Sequence, residues 1–380
     1  MNPRRLRAIV RRVVQEIRRD RPSLALLFIV PIAMTGLVTF IVRESQAPPV
    51  QVVWVNEAGA RGIAVEAVLS SALEVGDVTV DAAPDEEAAR TMVENGAASI
   101  AIVLPADLGE DAATITLITN GLDPSSDATQ VAVVRQALVG AAAAAEGARL
   151  PTISHVTVYG VPSDDPIAPF APAMVAFLAY FFVYILTGVS FLRERIGGTL
   201  ERLMATPVTR GEVVVGYILG FGLFATLQVA VLMAWVLGTV HVPAIGPLPE
   251  FSIGLGVAMA GDPLTAFLVV VLLALGAVSL GIFLSTFART ELQIMQFIPL
   301  VMTPQFLLSG VLFPVSTLPE VLQPFVDLMP VTFAVDGLRQ VFVAGAGLSS
   351  AVLQWDMAVL ALVAVFFTVI ASLTIRRDVV

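Results

Sequence analysis

Long apolar runs alternate with short polar segments along most of this 380-residue chain. Each uncharged run of about 20 residues can cross roughly 30 Å of hydrocarbon as a helix, so the pattern predicts transmembrane helices. The six predicted crossings are residues 23–42, 170–192, 213–237, 264–287, 292–313 and 351–375. The sequence therefore predicts an α-helical polytopic membrane protein with six transmembrane helices per chain.

Residues 43–168 have a different pattern, in which apolar runs of strand length alternate with acids and turn residues. Short apolar runs bounded by turn residues are typical of strands, and they recur near residues 50–55, 78–81, 99–104, 114–118 and 153–159. Helical patterns lie between them, at residues 63–73, 84–95 and 125–146. We therefore expect a small α/β domain inserted between the first two crossings.

Residues 1–22 combine eight arginines with an apolar stripe at helical spacing. The stripe consists of Leu6, Ile9, Val10, Val13, Val14 and Ile17. This pattern predicts an amphipathic helix lying on the cytoplasmic surface of the membrane. The alternative is a secretory signal peptide, because Ser45 and Ala47 form a small-x-small cleavage pattern, but the apolar run is longer than a usual signal peptide core.

The distribution of charge predicts the orientation. With a cytoplasmic N-terminus, 15 of the 21 arginines and only 7 of the 31 acidic residues lie on the cytoplasmic side. Because loops rich in arginine stay in the cytoplasm, both termini are predicted there, including a tail at residues 376–380. The predicted localisation is the cell membrane, with the α/β domain and most of the net charge of −10 on the outside.

The segment 314–347 resembles neither a crossing nor a free loop. Pro314, Pro319, Pro324 and Pro330 interrupt short apolar stripes of helical spacing. We expect broken re-entrant helices in the outer leaflet, where protein must cover their free backbone groups. Short helices on the membrane surface are the alternative.

Composition excludes several classes of function. The chain is 57% hydrophobic and 14% charged, and it contains no cysteine. All its basic residues are arginine, so the lysine of a nucleotide-binding P-loop is missing. His155 and His241 have no neighbours at metal-ligand spacing, and hydrolase motifs are absent. We predict no enzyme activity, no cofactor, no metal and no nucleic-acid partner for this chain.

The loop after the second crossing, residues 193–211, carries the most specific pattern. Charges of both signs are interleaved with an apolar stripe of Leu200, Leu203 and Met204, while Thr209 and Glu212 predict a capping box for the third crossing. A loop that only orients the protein needs the arginines alone. The added acids and apolar stripe favour docking against a partner.

This loop, RERIGGTLERLMATPVTRGE at residues 193–212, resembles the coupling-helix region of permeases of type 2 ATP-binding-cassette (ABC) exporters. The segment SGVLFPVSTLPEVLQPFVDLMPVTFAVDGLR at residues 309–339 is similar to the outer re-entrant helices of the same family. The layout is similar to the subgroup with a large extracellular domain after the first span.

The resemblance implies two copies of a separate ATP-binding subunit, which hold ATP and magnesium and dock on the loop and the N-terminal helix. It also implies a homodimer, although pairing with a homologous permease stays open. The residues that it places in ATPase coupling are Arg193, Glu194, Arg195, Gly198, Thr199, Glu201, Arg202, Met204, Thr206 and Pro207.

Polar and aromatic residues within the crossings are weaker candidates for a substrate pathway. They are Phe177, Tyr180, Tyr184, Gln293, Gln296 and Gln305. A lipid-facing aromatic belt is the alternative for the tyrosines. Asp336 and Arg339 are spaced for an ion pair at the outer mouth. Gly216 and Gly220 form a G-x-x-x-G pattern, and Ala277 with Gly281 a similar one, which permit close helix packing.

The predicted function is the membrane subunit of an ATP-driven exporter for an amphipathic, lipid-like or drug-like substrate, with membrane lipids as further partners. The later crossings contain no ionised residue at mid-depth, which argues against an ion-coupled transporter. The alternative is a scaffold that transmits ATPase movements to the extracellular domain.

Overall fold

The computed structural model describes residues 2–44, 51–59, 62, 79–107, 114–120, 124–144, 152–158, 167–168, 170–242, 251–311, 315, 318–319 and 321–374. In chain order the elements are α1 (Pro3–Arg19), α2 (Arg21–Glu44), β1 (Gln51–Asn56), β2 (Thr79–Ala82), α3 (Glu86–Glu94), β3 (Ile100–Leu104), β4 (Thr114–Thr119), α4 (Pro124–Ala144), β5 (Thr152–Thr157), α5 (Ala171–Ile196), α6 (Thr199–Met204), α7 (Arg210–Leu237), β6 (Val240–Val242), β7 (Phe251–Ile253), α8 (Pro263–Ser285), α9 (Glu291–Leu308), α10 (Gln323–Val326), α11 (Pro330–Phe342) and α12 (Ala351–Thr374).

The chain divides into two compact units. The helical unit consists of Met1–Thr39 and Phe170–Val380, and the α/β unit of Phe40–Pro169. Five helices in the described part of the chain, α2, α5, α7, α8 and α12, are long and apolar enough to cross a membrane. The protein is therefore a helical polytopic membrane protein.

The predicted crossing at residues 292–313 corresponds to α9, which is shorter and more polar than the other five. It has 18 residues and ends at Leu308, and it contains Pro299 and Pro304. Glu291, Gln293 and Gln296 lower the hydropathy of its first two turns. Length and composition alone consequently do not identify α9 as a crossing.

Helix α8 packs against α5, α7 and α12 in the helical unit. It approaches α5 closely at Gly281, where an added Cβ atom would lie 3.1 Å from the backbone oxygen of Tyr184 and 3.2 Å from the nitrogen of Gly188. Glycine at this position lets the two backbones pack closely, as predicted for the small-residue pair Ala277 and Gly281.

Helix α9 begins and ends beside opposite ends of α5. At its start, Glu291 forms an ion pair of 2.9 Å with Arg193 in the last turn of α5. Near its end, the ring of Phe306 lies 5.1 Å from the ring of Phe177 in the second turn of α5. The two helices therefore run in opposite directions along each other.

The segment between α9 and α12 contains two short helices, α10 and α11. Helix α11 begins at Pro330, and the side chain of the preceding Met329 does not cap its first turn. Instead, the Gln305 side-chain oxygen accepts a hydrogen bond of 3.1 Å from the backbone nitrogen of Val331. Protein thus covers a backbone group that proline-rich helix starts leave free.

The α/β unit contains a five-stranded sheet in the order β2-β1-β3-β4-β5. Strand β1 is parallel to β2 and β3, β3 is antiparallel to β4, and β4 is parallel to β5. Alternate residues of β1 and β3 face opposite sides, so that Trp54 and Ile102 share a core with α4, and Val55 and Val103 share a core with α3. The helix predicted at residues 63–73 lies outside the described residues.

Candidate functional site

The candidate site is the short segment between α5 and α7. Helix α5 ends at Ile196, and Gly198 follows with φ +69°, a left-handed conformation that glycine adopts without steric cost. This break turns the chain into α6, which spans Thr199–Met204. The turn at Gly197 and Gly198 therefore separates α6 from the long helix before it.

Helix α6 presents a charged face to solvent and an apolar residue to the protein. Leu200 is 6% exposed, whereas Glu201 and Arg202 are exposed. Thr206 and Pro207 after the helix are also exposed, while Gly198, Thr199 and Met204 are half-buried. Four of the predicted coupling residues therefore form an outward surface: Glu201, Arg202, Thr206 and Pro207.

The capping box predicted at the start of α7 is confirmed. The Glu212 nitrogen donates to the Thr209 hydroxyl at 3.2 Å, and the Thr209 nitrogen donates to a Glu212 carboxylate oxygen at 3.0 Å. Two backbone N–H groups at the helix start thus find side-chain partners. These local hydrogen bonds fix the start of α7, directly after the α6 segment.

The other predicted coupling residues, at the end of α5, contact their own chain. Arg193 binds Glu291 at 2.9 Å and lies 3.7 Å from Asp20. The Arg195 guanidinium donates to the carbonyl oxygens of Ser285 and Ala288 at the end of α8. These arginines tie the start of the loop to α8 and α9, while about half of the Arg193 side chain remains exposed.

Glu194 is also turned inward. It is 4% exposed, and one of its carboxylate oxygens accepts a hydrogen bond of 2.6 Å from the Arg12 guanidinium of α1. Its other oxygen has no partner among the hydrogen bonds of the described residues. A buried carboxylate requires such a cation, because an unpaired charge is costly in a low dielectric.

Helix α1 lies on a flat, glycine-lined face of α7. An added Cβ atom would lie 2.6 Å from Ile9 at Gly216 and 2.7 Å from Val13 at Gly220. Ile9, Val13 and Ile17 are consequently buried. The G-x-x-x-G pattern therefore packs α7 against the amphipathic helix of the same chain.

The start of α1 is joined to the start of α7. The Asn2 nitrogen donates to Glu212 at 2.6 Å, and Arg5 lies 3.9 Å from the same carboxylate. Arg5 also donates to the carbonyl oxygen of Pro207, directly after α6. Helix α1 therefore contacts both ends of the α6 segment, through Glu194 before it and Pro207 after it.

A cavity of about 40 Å³ lies where α1, α5 and α7 meet. Its lining includes the carboxyl groups of Glu16, Asp20 and Glu194 and the side chain of Tyr217. Although Glu16 is exposed as a whole, partial burial of its carboxyl group, followed by the neighbouring Glu194, raises its pKa to about 8, and Arg12 partly offsets the effect. In the described ranges, no group of three or more His, Cys, Asp or Glu residues could hold a metal ion.

Sequence reasoning missed the α1 members of this cluster. Arg12, Glu16 and Asp20 are spaced four residues apart, so they lie on one face of a helix. That spacing was a usable signal. Their partners could not be found in the same way, because Arg12 and Glu194 are 182 positions apart in the sequence.

The predicted pathway residues do not converge on one site. Tyr180 and Tyr184 are buried, and neither hydroxyl has a hydrogen-bond partner in the described part of the chain. Gln293 accepts a hydrogen bond from the Arg289 nitrogen at 2.7 Å, Gln296 is exposed, and Gln305 holds the start of α11. The glutamines are thus distributed along α9, and two of them bind backbone groups.

The predicted ion pair of Asp336 and Arg339 is not formed at contact distance. Arg339 donates to the carbonyl oxygen of Gly310 at 2.7 Å, which joins α11 to the end of α9. The ion pairs of 4 Å or less between described residues do not include Asp336. The arginine finds a nearer acceptor in a carbonyl group that the end of a helix leaves free.

Comparison with known proteins identifies relatives of this sequence. Residues 21–373 match the family described as ABC-2 family transporter protein. The chain is 31% identical over 192 residues to ABC transporter G family member 20 of Dictyostelium discoideum, covering 50% of this chain and 24% of that protein. It is 30% identical over 196 residues to inner membrane transport permease YhhJ of Escherichia coli, covering 51% of this chain and 48% of YhhJ.

A further relative is the probable multidrug ABC transporter permease YbhR of Escherichia coli, 27% identical over 177 residues, covering 47% of this chain and 44% of YbhR. These alignments span about half or less of the length of each relative. The family match covers nearly the whole chain, including α1's neighbour α2, the α6 segment and α12. This chain therefore belongs to the ABC-2 family of transporter proteins.

Proposed function

We propose that this chain is the membrane subunit of an ATP-driven exporter, in which a separate subunit hydrolyses ATP. The observation that carries the proposal is the exposed α6 segment, whose Glu201 and Arg202 face outward while both of its ends are tied to α1. A partner that pushes on α6 acts directly on α5 and α7. Two copies of the ATP-binding subunit would dock on this surface, and they would carry the ATP and magnesium.

Six crossings with both termini in the cytoplasm fit the ends of the helical unit. The Ala260 nitrogen before α8 donates to the Phe342 carbonyl of α11 at 2.8 Å. Arg195 contacts the opposite end of α8, near the start of α9. Because α9 joins these two ends, we infer that it crosses the membrane despite its lower hydropathy. With a cytoplasmic N-terminus, the α/β unit that follows α2 is then extracellular.

The exposed apolar surfaces of α2 and α12 fit lipid or a second membrane subunit. Leu37 of α2 and Trp355, Leu362 and Leu373 of α12 are each more than half exposed. Water is a poor solvent for such helices, so lipid or a protein partner must cover them. We infer a dimer of this chain, or a pair with a homologous permease, in a cell membrane.

An amphipathic, lipid-like or drug-like substrate fits the chain best. No acidic or basic residue lies in the middle of α5, α7 or α8, so the interior offers apolar and aromatic surface rather than an ion site. The relative YbhR is named a probable multidrug ABC transporter permease. Transport from the cytoplasm or the inner leaflet to the outside is the direction we propose.

The decisive experiment is reconstitution of the chain in vesicles with a candidate ATP-binding subunit. Candidate lipids or drugs are expected to stimulate ATP hydrolysis and to cross the bilayer. ATP hydrolysis that depends on the chain but moves no substrate would instead favour a scaffold that transmits ATPase movements to the extracellular domain.

Reversal of charge on α6 tests the coupling surface within that assay. Glu201→Arg is expected to abolish most substrate-dependent transport while leaving expression intact, because it changes an exposed docking charge and no internal contact. Glu87→Arg changes an exposed glutamate of the α/β unit and serves as the matched control. Unchanged transport in Glu201→Arg would remove this residue from the coupling surface.

A further inference from the structure

Three carboxyl groups meet two guanidinium groups where α1 approaches the end of α5. Glu194 holds Arg12 at 2.6 Å, and Arg193 is held by Glu291 at 2.9 Å and by Asp20 at 3.7 Å. Both cations are thus committed to other carboxylates. Glu16 faces this cluster with no close ion-pair partner among the described residues.

Helix packing places Glu16 and Glu194 at the same cavity. Helix α1 is seated on α7, where Ile9 and Val13 fill the space above Gly216 and Gly220. Glu16 lies between Val13 and Ile17 on the same helix, and all three line the cavity with Glu194. Apolar packing therefore positions a carboxyl group beside a buried carboxylate.

The free oxygen of Glu194 is suited to accept a hydrogen bond within this cavity. Glu194 is 4% exposed, and its second oxygen has no partner among the described residues, as is true of the Tyr217 hydroxyl. A cavity of about 40 Å³ can hold a few waters, since each needs roughly 10–15 Å³ by this measure. Water in this cavity would give the two carboxyl groups a proton route to solvent.

We propose that Glu16 and Glu194 form a proton-binding site, in which one shared proton holds α1 against the end of α5. In the protonated state the Glu16 carboxyl group donates to Glu194, whose other oxygen keeps Arg12. Loss of the proton leaves two adjacent carboxylates and a surplus of negative charge with Asp20 and Glu291. Their repulsion pushes the C-terminal half of α1 away from the residues that lead into α6.

The other charged and titratable groups around Glu16 set the direction of this response. Arg12 opposes the repulsion, Asp20 and Glu194 add to it, and α7 contributes Tyr217. A carboxyl group with a raised pKa in the packed state stabilises that state fully below its ordinary pKa of 4.5. The contribution is lost as the pH rises to about 8, so alkaline conditions release α1.

The absence of native cysteine makes this movement directly measurable. Spin labels at Gln15→Cys on α1 and Ile196→Cys at the end of α5 occupy exposed positions on the two elements. Pulsed electron paramagnetic resonance on the chain in lipid nanodiscs should show a longer and broader distance distribution as the pH is raised towards and past about 8. Glu16→Gln should keep the short distance at every pH, and Glu87→Gln should behave as the parent.

Two results overturn the proposal: a parent distance that does not change with pH, or the same transition in Glu16→Gln. Infrared titration of the parent provides a second readout that does not depend on the variant folding. A carboxylic acid C=O band should persist above pH 4.5 and disappear near about 8, and its absence in this range also overturns the proposal.

The inference rests on the proposed function only in assigning this site to the cytoplasmic side and to the control of α6. The spin-label and infrared experiments use the chain without an ATP-binding subunit. A pH-dependent distance with no ATPase coupling would therefore retain the proton site and reject the transporter role. The reverse result would reject the site alone.

Discussion

At the scale of single residues, the Arg12–Glu194 pair shows how one buried charge determines the position of a helix. Glu194 is almost completely buried, whereas about a third of the Arg12 side chain is exposed. The pair therefore stabilises the contact mainly by preventing an unpaired carboxylate in the interior. The residue pattern at 193–195 predicted charges at a functional loop, but it did not predict that Glu194 is buried.

Replacement of Arg12 should show how strongly the helical unit depends on the Arg12–Glu194 pair. Arg12→Gln is expected to destabilise the helical unit by about 1–3 kcal/mol, because Glu194 loses its charged donor in a buried position. Thermal unfolding in detergent at neutral pH would show a lower Tm. Arg11→Gln, at an exposed position of the same helix, is the matched control and should leave Tm unchanged.

The double variant Arg12→Gln with Glu194→Gln should recover part of the lost stability, since it leaves no buried charge. Equal losses in the single and double variants would contradict a stabilising pair of Arg12 and Glu194 at this contact.

At the scale of elements, the contact between α1 and α7 depends on two glycines. The amphipathic pattern of α1 predicted a buried stripe, and the structure buries Ile9, Val13 and Ile17 of that stripe against protein. Periodicity identifies an apolar face but does not say whether lipid or another helix covers it. The space above Gly216 and Gly220 lets α1 approach the backbone of α7, so that α7 covers the apolar face of α1.

A methyl group at this contact should displace α1. Gly220→Ala places a Cβ atom 2.7 Å from Val13, and such overpacking typically costs about 1–3 kcal/mol. Trypsin should then cleave the arginines of α1 several-fold faster in the purified chain. Gly211→Ala has no neighbour within 4 Å and should not change the rate. Equal cleavage of the two variants would show that α1 does not depend on this close contact.

At the scale of the whole molecule, the path of α9 decides how many times the chain crosses the membrane. Its composition is ambiguous, since three polar residues precede two prolines in one helix of 18 residues. The contacts of its two ends with opposite ends of α5 favour a full crossing. Topology thus depends on contacts that a hydropathy profile does not contain.

Single-cysteine labelling can count the crossings. With six crossings, Ser349→Cys before α12 should react with a membrane-impermeant maleimide from outside the cell. Without a crossing at α9 the same cysteine would be protected inside. Glu87→Cys should label from outside in both cases, and Thr206→Cys should label only after the membrane is opened.

Much of the architecture could be derived from the sequence, because lipid imposes long apolar helices and short alternating strands form a sheet with two covered faces. The strands near residues 51–56, 100–104 and 114–119 and the capping box of Thr209 followed from local patterns for that reason. The resemblance carried by residues 193–212 and 309–339 predicted the family that the comparison then showed.

Only the tertiary structure decided which of the patterned residues face each other. Glu194 looked like a docking residue and is a buried partner of Arg12, and Gln305 looked like a pathway residue and holds the first turn of α11. The physical reason is the distance along the chain: local pattern defines the face of a helix, but its partner is selected by packing and charge pairing between residues far apart in sequence. In this chain those contacts leave Glu201 and Arg202 exposed and turn Arg193, Glu194 and Arg195 towards α1, α8 and α9.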